Sequence, residues 1–351
     1  MSDDTALDRL LVQLSAYGPE LTNGFTSHAP MVAEALCELG EHEAADRWVQ
    51  AHLHEHTLRP HPSAPIHDWQ AALGREDRFA DWAELLRAEL RRDDWREVLD
   101  RWCARLAPGF AAAATHGIIR TAHAARAMTA RASEARRDEL ADGLALWAST
   151  YQPLPSRCEA VTPFRELDDA LARVPRVPLA QRRNGGAITT AVQVLARLPE
   201  FAPVIAWFDP GDDLDDLINL ITAGQQLARA FAEVFATQAR DPLTAIVFTH
   251  AVTSTTAVLW LAPLLQPTTT RELLIHAWQT GAALLAVYGD QPVPAIDRTP
   301  EPDAEIIARA VEHGDDHVIK LSGACTWLRA QTGESLFAAL PRRSRSLLRA
   351  E

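Results

Sequence analysis

Residues 245–265 read Ala-Ile-Val-Phe-Thr-His-Ala-Val-Thr-Ser-Thr-Thr-Ala-Val-Leu-Trp-Leu-Ala-Pro-Leu-Leu, apolar nearly all the way round a helix. A helix without a polar face has to be surrounded, by lipid or by protein. The length permits a membrane span. His250, the hydroxyls of Thr249, Thr253, Ser254, Thr255 and Thr256, and the lack of flanking positive charge argue against one. The stretch therefore predicts a helix buried through the middle of a helical domain. It also makes His250 a deeply placed polar group that needs a partner. Core hydrogen bonding and metal ligation both meet that need.

The remaining chain offers amphipathic helices to surround it. Leu7, Leu10, Leu11 and Leu14 form one stripe behind the capping residues Asp3 and Asp4, with an end expected near Gly18-Pro19. Pro30 suits a first helical turn, with Leu36 and Leu39 inward and Gly40 as the stop. Residues 41–57 read as the next helix, carrying His52, His54 and His56. His52 and His56 have metal-pair spacing, but no HExxH accompanies them, and His61 and His67 suggest a histidine-rich surface. Trp69, Leu73 and Gly74 mark a short helix and its end. Further helices are expected over 79–105, over 140–151, through Leu227, Phe231 and Phe235, and from Arg271 to Tyr288, where His276 lies. A proline-rich crossing from Gln291 to Asp303 leads to a final helix expected to carry His313, His317 and Lys320 together. No stretch alternates as a strand does, and no GxGxxG offers a dinucleotide loop. The expected fold is all-α, a single large domain over 1–351 with a candidate subdomain boundary at the basic, turn-rich 175–187.

Composition narrows the partners. A chain of 351 residues suits one large domain or two ordinary ones. The net charge of -13 argues against nucleic-acid backbones and anionic membrane surfaces. Cys37, Cys103, Cys158 and Cys325 are far apart with no CxxC, so neither a zinc knuckle nor a disulfide framework is suggested. Met1-Ser2-Asp3-Asp4 has no signal-peptide pattern, and a cytoplasmic location is the expectation.

Lysine and arginine together number 34, and Lys320 is the only lysine. Arginine stays protonated and cannot offer a neutral amine. A desolvated lysine can, as a base, as a Schiff-base former or, after reaction with CO2, as a carbamate bearing a metal-binding carboxylate. On one helix, His317 and His313 would lie three and seven residues before Lys320 on the same face. A leftover lysine on a solvated face, beside histidines that cap or pack, fits the spacing equally. Two more histidines stand out. His28 sits at a helix entrance, where it either caps or is aimed into a cleft. His116 follows the small residues of 108–115, which let helices approach closely, and Arg120 and His123 continue its face.

His28-Ala29-Pro30-Met31 with Leu39-Gly40, Trp69 with Leu73-Gly74, Pro108-Gly109 with His116-Gly117-Ile118-Ile119-Arg120, His250-Ala251-Val252-Thr253, and Asp316-His317-Val318-Ile319-Lys320 occur in that order. Together they resemble the questin oxidase-like family over nearly the whole chain. One departure is Ser27-His28-Ala29, where an asparagine before the histidine and a larger apolar residue after it are expected.

The resemblance implies an all-helical oxygenase of aromatic polyketide or quinone-type small molecules, with ring C–C cleavage. It implies a non-haem Fe(II) held by His28, His116, His250, His317 and a carboxylated Lys320, with O2 as co-substrate and NADPH as a further candidate. His313 and then His276 are the substitutes should one of these fail. Arg120 is expected to steady a phenolate or carboxylate of the substrate, and Tyr288 or Trp260 to line its pocket; surface pairing and core packing explain these three equally well. Two other readings keep the fold, an NADPH-dependent Baeyer–Villiger-type monooxygenase without essential metal and a metal-dependent hydrolase or lyase. A non-catalytic helical scaffold is a further alternative, against which stands the lack of a fixed repeat of 30–50 residues.

Overall fold

The computed structural model describes residues 4–155, 166–182, 187–211, 217–294, 296–299 and 301–350. Asp3, Cys158 and Arg183-Asn184-Gly185-Gly186 of the expected boundary lie outside the described residues. The chain divides into two compact units, Met1–Gln152 and Pro153–Glu351. Both are mostly helical, as the absence of strand periodicity implied.

In the first unit, α1 (Asp4–Leu14) buries Leu7, Leu10, Leu11 and Leu14, the stripe read from the sequence. It stops well short of Gly18-Pro19, because Tyr17–Leu21 forms a strand, β1, antiparallel to β2 (His56–Leu58). This two-stranded ribbon has no sequence signature, and it also shortens the helix expected over 41–57. After α2 (Ala29–Glu38), α3 (His42–His52) gives way to a 3-10 turn at Leu53–Glu55. Thr22 N donates to Glu55 O at 2.7 Å and Thr57 Oγ1 to Glu20 O at 2.8 Å, so local backbone groups are paired across the ribbon instead of along a helix. The second stretch of the unit contains α4 (Phe79–Arg92), α5 (Trp95–Leu106), α6 (His116–Ala130) and α7 (Glu134–Ser149). Asp94 and Ser133 cap α5 and α7 by accepting backbone N–H groups, and the Ser133 cap starts α7 before the expected residue 140.

Small residues set the α6/α7 approach. A Cβ on Gly117 would lie 2.7 Å from Trp147 Cα, and one on Gly143 would lie 3.0 Å from Thr121 Cα. Ion pairs then join further parts of the unit. Asp142 accepts both Nη groups of Arg59, at 2.7 and 2.8 Å, and Arg87 Nη2 at 2.8 Å.

The second unit is built round the apolar stretch. Its longer helices are α8 (Leu217–Gln238), α9 (Pro242–Leu261), α10 (Pro267–Tyr288), α11 (Asp303–His313), α12 (Asp316–Thr332) and α13 (Leu336–Leu347). An Asp241–Thr244 capping box starts α9. Pro242–Leu264 is long and apolar enough to cross a membrane, and 89% of its apolar window is buried, with α8, α10 and α12 packed on it. Three of its hydroxyls are met internally: Thr253 donates to Thr249 O at 2.9 Å, Thr255 to Ala251 O at 2.9 Å and Thr256 to Val252 O at 2.8 Å. Thr249 Oγ1 is buried with no hydrogen-bond partner among the described residues, so back-bonding lowers the cost of burial at three positions and leaves it standing at that one.

One expected element is two. Gly314, at φ +82, ends α11, and Asp315 caps α12 by accepting His317 N and Val318 N. His313 therefore does not share a helix face with His317 and Lys320, and α13 follows. The physical reason is local. Glycine pays little for a left-handed residue at a helix end, and an aspartate directly after it accepts the next helix's first N–H groups.

Candidate functional site

The expected site residues fall into one group within each unit. In the first, His28 is the N-cap residue of α2 but makes no side-chain cap bond there. Its ring stacks on that of His116, centroids 4.4 Å apart and planes inclined by 29°. Both are buried, at 9% and 6% exposure. His116 is the first residue of α6 and is reached through an unusual backbone. Ala113, Ala114 and Thr115 have φ of +45, +57 and +73, three consecutive left-handed residues without a glycine. Each costs roughly 1–2 kcal/mol relative to the right-handed form. The turn brings the Ala113 carbonyl onto His116 Nδ1, a close hydrogen bond that orients the ring. An imidazole that donates from Nδ1 carries its lone pair on Nε2, the arrangement in which histidine ligates metals.

Arg120 and His123 point into ion pairs. Arg120 Nε and Nη2 donate to Glu139 at 2.6 and 2.9 Å, both groups buried. Burial pushes the Glu139 carboxyl up even beside the arginine. This pairing supports a part for Arg120 in joining α6 to α7, since the guanidinium fork is turned to Glu139. His123 Nδ1 donates to Glu34 Oε2 at 2.5 Å, and Arg126 donates to both oxygens of the same carboxylate at 2.7 and 2.5 Å. Burial alone would raise Glu34, but Arg126 and His123 outweigh it and hold the carboxyl down at about 2. Glu34 was not singled out from the sequence. Its signal was one carboxylate inside the otherwise apolar run Ala29–Leu36.

In the second unit, His250 on α9 and His317 on α12 meet edge to face, centroids 5.4 Å apart at 78°. His250 Nδ1 bonds Ile246 O at 2.8 Å, one turn back along its own helix. His317 Nδ1 lies 2.5 Å from Asp316 Oδ1, an anionic neighbour that favours the proton on that nitrogen. Lys320 is one turn beyond His317 and 3% exposed. No hydrogen bond or ion pair reaches its ammonium among the described residues. Burial lowers its pKa to about 8, with Asp316 and Asp315 pulling weakly the other way. Burying an ammonium is costly, so the neutral amine is more accessible here than on a solvated lysine, with the cation still predominant below pH 8.

The two substitutes are differently placed. His313 ends α11 with Nε2 3.3 Å from Leu348 O. His276, half-buried on α10, has Nδ1 2.9 Å from Gln279 Oε1, and burial lowers its pKa. Trp260 packs edge to face on Trp327 at 6.1 Å, and burial raises the Tyr288 phenol. His56, discounted as a ligand, has Nδ1 on His52 O at 3.0 Å and Nε2 on Ser27 Oγ at 2.7 Å. Ser27, where the family resemblance leads one to expect asparagine, thus serves the ribbon's histidine.

No curated protein and no solved structure matches the chain significantly. The model of the questin oxidase-like family matches residues 25–325, which span all five expected ligands and every motif that suggested the resemblance. The chain belongs to the questin oxidase-like family, a membership that implies an oxidoreductase.

Proposed function

We propose that the protein is a non-haem iron oxygenase of aromatic polyketide or anthraquinone-type compounds, cleaving a ring C–C bond. Family membership supports the oxygenase and its substrate class. The ligands proposed are His28, His116, His250, His317 and Lys320 as its carbamate. The observation that carries the metal reading is Lys320, the only lysine, buried one turn from a buried histidine with no ion pair to its ammonium among the described residues. Its neutral amine adds CO2 at Nζ, forming an N–C bond and releasing one proton. The product is an anionic carboxylate in place of a stranded cation. Four imidazoles and one carboxylate form a donor set suited to iron.

The residues divide the remaining work. Bonds from Nδ1 of His116 and His250 to backbone carbonyls fix the ring tautomers and orientations, and Asp316 does so electrostatically for His317. Apolar helices exclude water and hold a flat ligand. Iron, when bound, supplies the redox chemistry with O2, and NADPH serves as reductant if the reaction requires one.

The test is metal content by mass spectrometry on wild type, Lys320→Arg and His116→Ala, with oxygen consumption on a panel of hydroxylated anthraquinones. Near-stoichiometric iron and substrate-dependent O2 uptake in wild type, both lost in the folded variants, are expected. Undiminished iron and turnover in the two variants would refute the assignment of ligands.

A further inference from the structure

We infer that Glu34, gripped by His123 and Arg126, is a positioning device for the His28/His116 ring pair. α2 and α6 each begin at one of these histidines and pack on each other. Glu34 lies six residues beyond His28, and His123 seven beyond His116. At 1.5 Å per helical residue, the clamp sits roughly 9 Å along α2 and roughly 10.5 Å along α6 from the rings. Two rods touching only at the ring stack can rock and slide. A second, charged and multiply hydrogen-bonded contact fixes both their register and their rotation.

The chemistry of the clamp suits that part. All three bonds end on one carboxylate, one from an imidazole and two from the guanidinium fork of Arg126. Glu34 is 4% exposed and His123 3%. Buried, charge-assisted bonds are short and directional, so a slip of one helix against the other breaks them together. Apolar packing between α2 and α6 alone would tolerate the same slip far better.

The inference rests on the ligand reading only in its consequence for metal affinity, and the experiment separates the two. Glu34→Gln is compared with Asp81→Asn, which removes another buried carboxylate of the same unit, held at about 2 by Arg78, Ser63 and Ala64. In metal-free protein carrying 13C-labelled histidine, the His28 and His116 ring signals report their stacking through mutual ring-current shifts. They are expected to move toward free-histidine values in Glu34→Gln and to stay in place in Asp81→Asn. Titration with Co(II) in the same samples is expected to show affinity weakened roughly tenfold in Glu34→Gln alone. Unmoved ring signals in Glu34→Gln, or equal movement in Asp81→Asn, would overturn the inference. Wild type that binds no Co(II) would overturn the ligand reading while the ring signals still decide the clamp. Should Glu34→Gln not fold, His123→Gln, which keeps the Arg126–Glu34 pair, is judged by the same signals.

Discussion

Lys320 carries an energetic signature that can be measured without substrate or iron. Its pKa falls from 10.5 unfolded to about 8 folded because burial disfavours the charge. Below pH 8 both states hold the proton, and the folded state bears the full penalty, ~3 kcal/mol by the linkage of pKa to stability. Between about 8 and 10.5 the unfolded chain holds more protons than the folded one, so the penalty fades as pH rises. Lys320→Met in metal-free, CO2-free protein is thus expected to be more stable than wild type at pH 7 and to lose that advantage by pH 10.5. Urea unfolding at both pH values reads it; an advantage that grows with pH would mean the amine is not desolvated. The sequence flagged this residue through its rarity and its place in the family's motif. Burial and the lack of an ion pair among the described residues, which make rarity meaningful, depend on how α12 packs.

At the scale of elements, the glycines of α6 and α7 are a structural requirement, not a passive feature. Gly117→Ala gains up to about 1 kcal/mol of helix propensity. Against this stands a Cβ 2.7 Å from Trp147 Cα, a backbone contact that no rotamer change relieves. Overpacking of this kind costs about 1–3 kcal/mol or more. A net loss of up to roughly 2 kcal/mol is expected from denaturant midpoints at unchanged slope, and stabilisation would show the helices free to part. The Gly314-Asp315 junction offers the complementary case. A glycine end signal followed directly by an aspartate start signal was legible in the sequence, but the histidine and lysine spacing was read across it as one helix. Because the break puts His313 at the end of α11 beside the Leu348 carbonyl, His313→Ala is expected to keep its iron and His317→Ala to lose it. Metal analysis of the two proteins checks the ligand assignment directly.

For the whole molecule, binding and folding share one free energy. A ligand that binds only the folded chain stabilises it by about 2.7 kcal/mol at a free concentration one hundred times its Kd. Fe(II) or Co(II), added anaerobically, is expected to raise the melting temperature of wild type and to leave Lys320→Arg unmoved. An equal rise in both would place the metal elsewhere. The helical class, the buried α9 and the family were all legible in the sequence, because period, hydrophobicity and motif order are properties of the chain read along its length. The candidate histidines and the lysine were legible as residue types. What only the tertiary structure decided is which faces meet: the β1/β2 ribbon that cuts two helices short, the ring stack of His28 on His116, the turning of Arg120 to Glu139, and the grip on Glu34. Those contacts join residues as many as 92 positions apart, as Arg126 and Glu34 are. No local propensity encodes them; they follow from the competition of buried charges for partners once the apolar faces have closed.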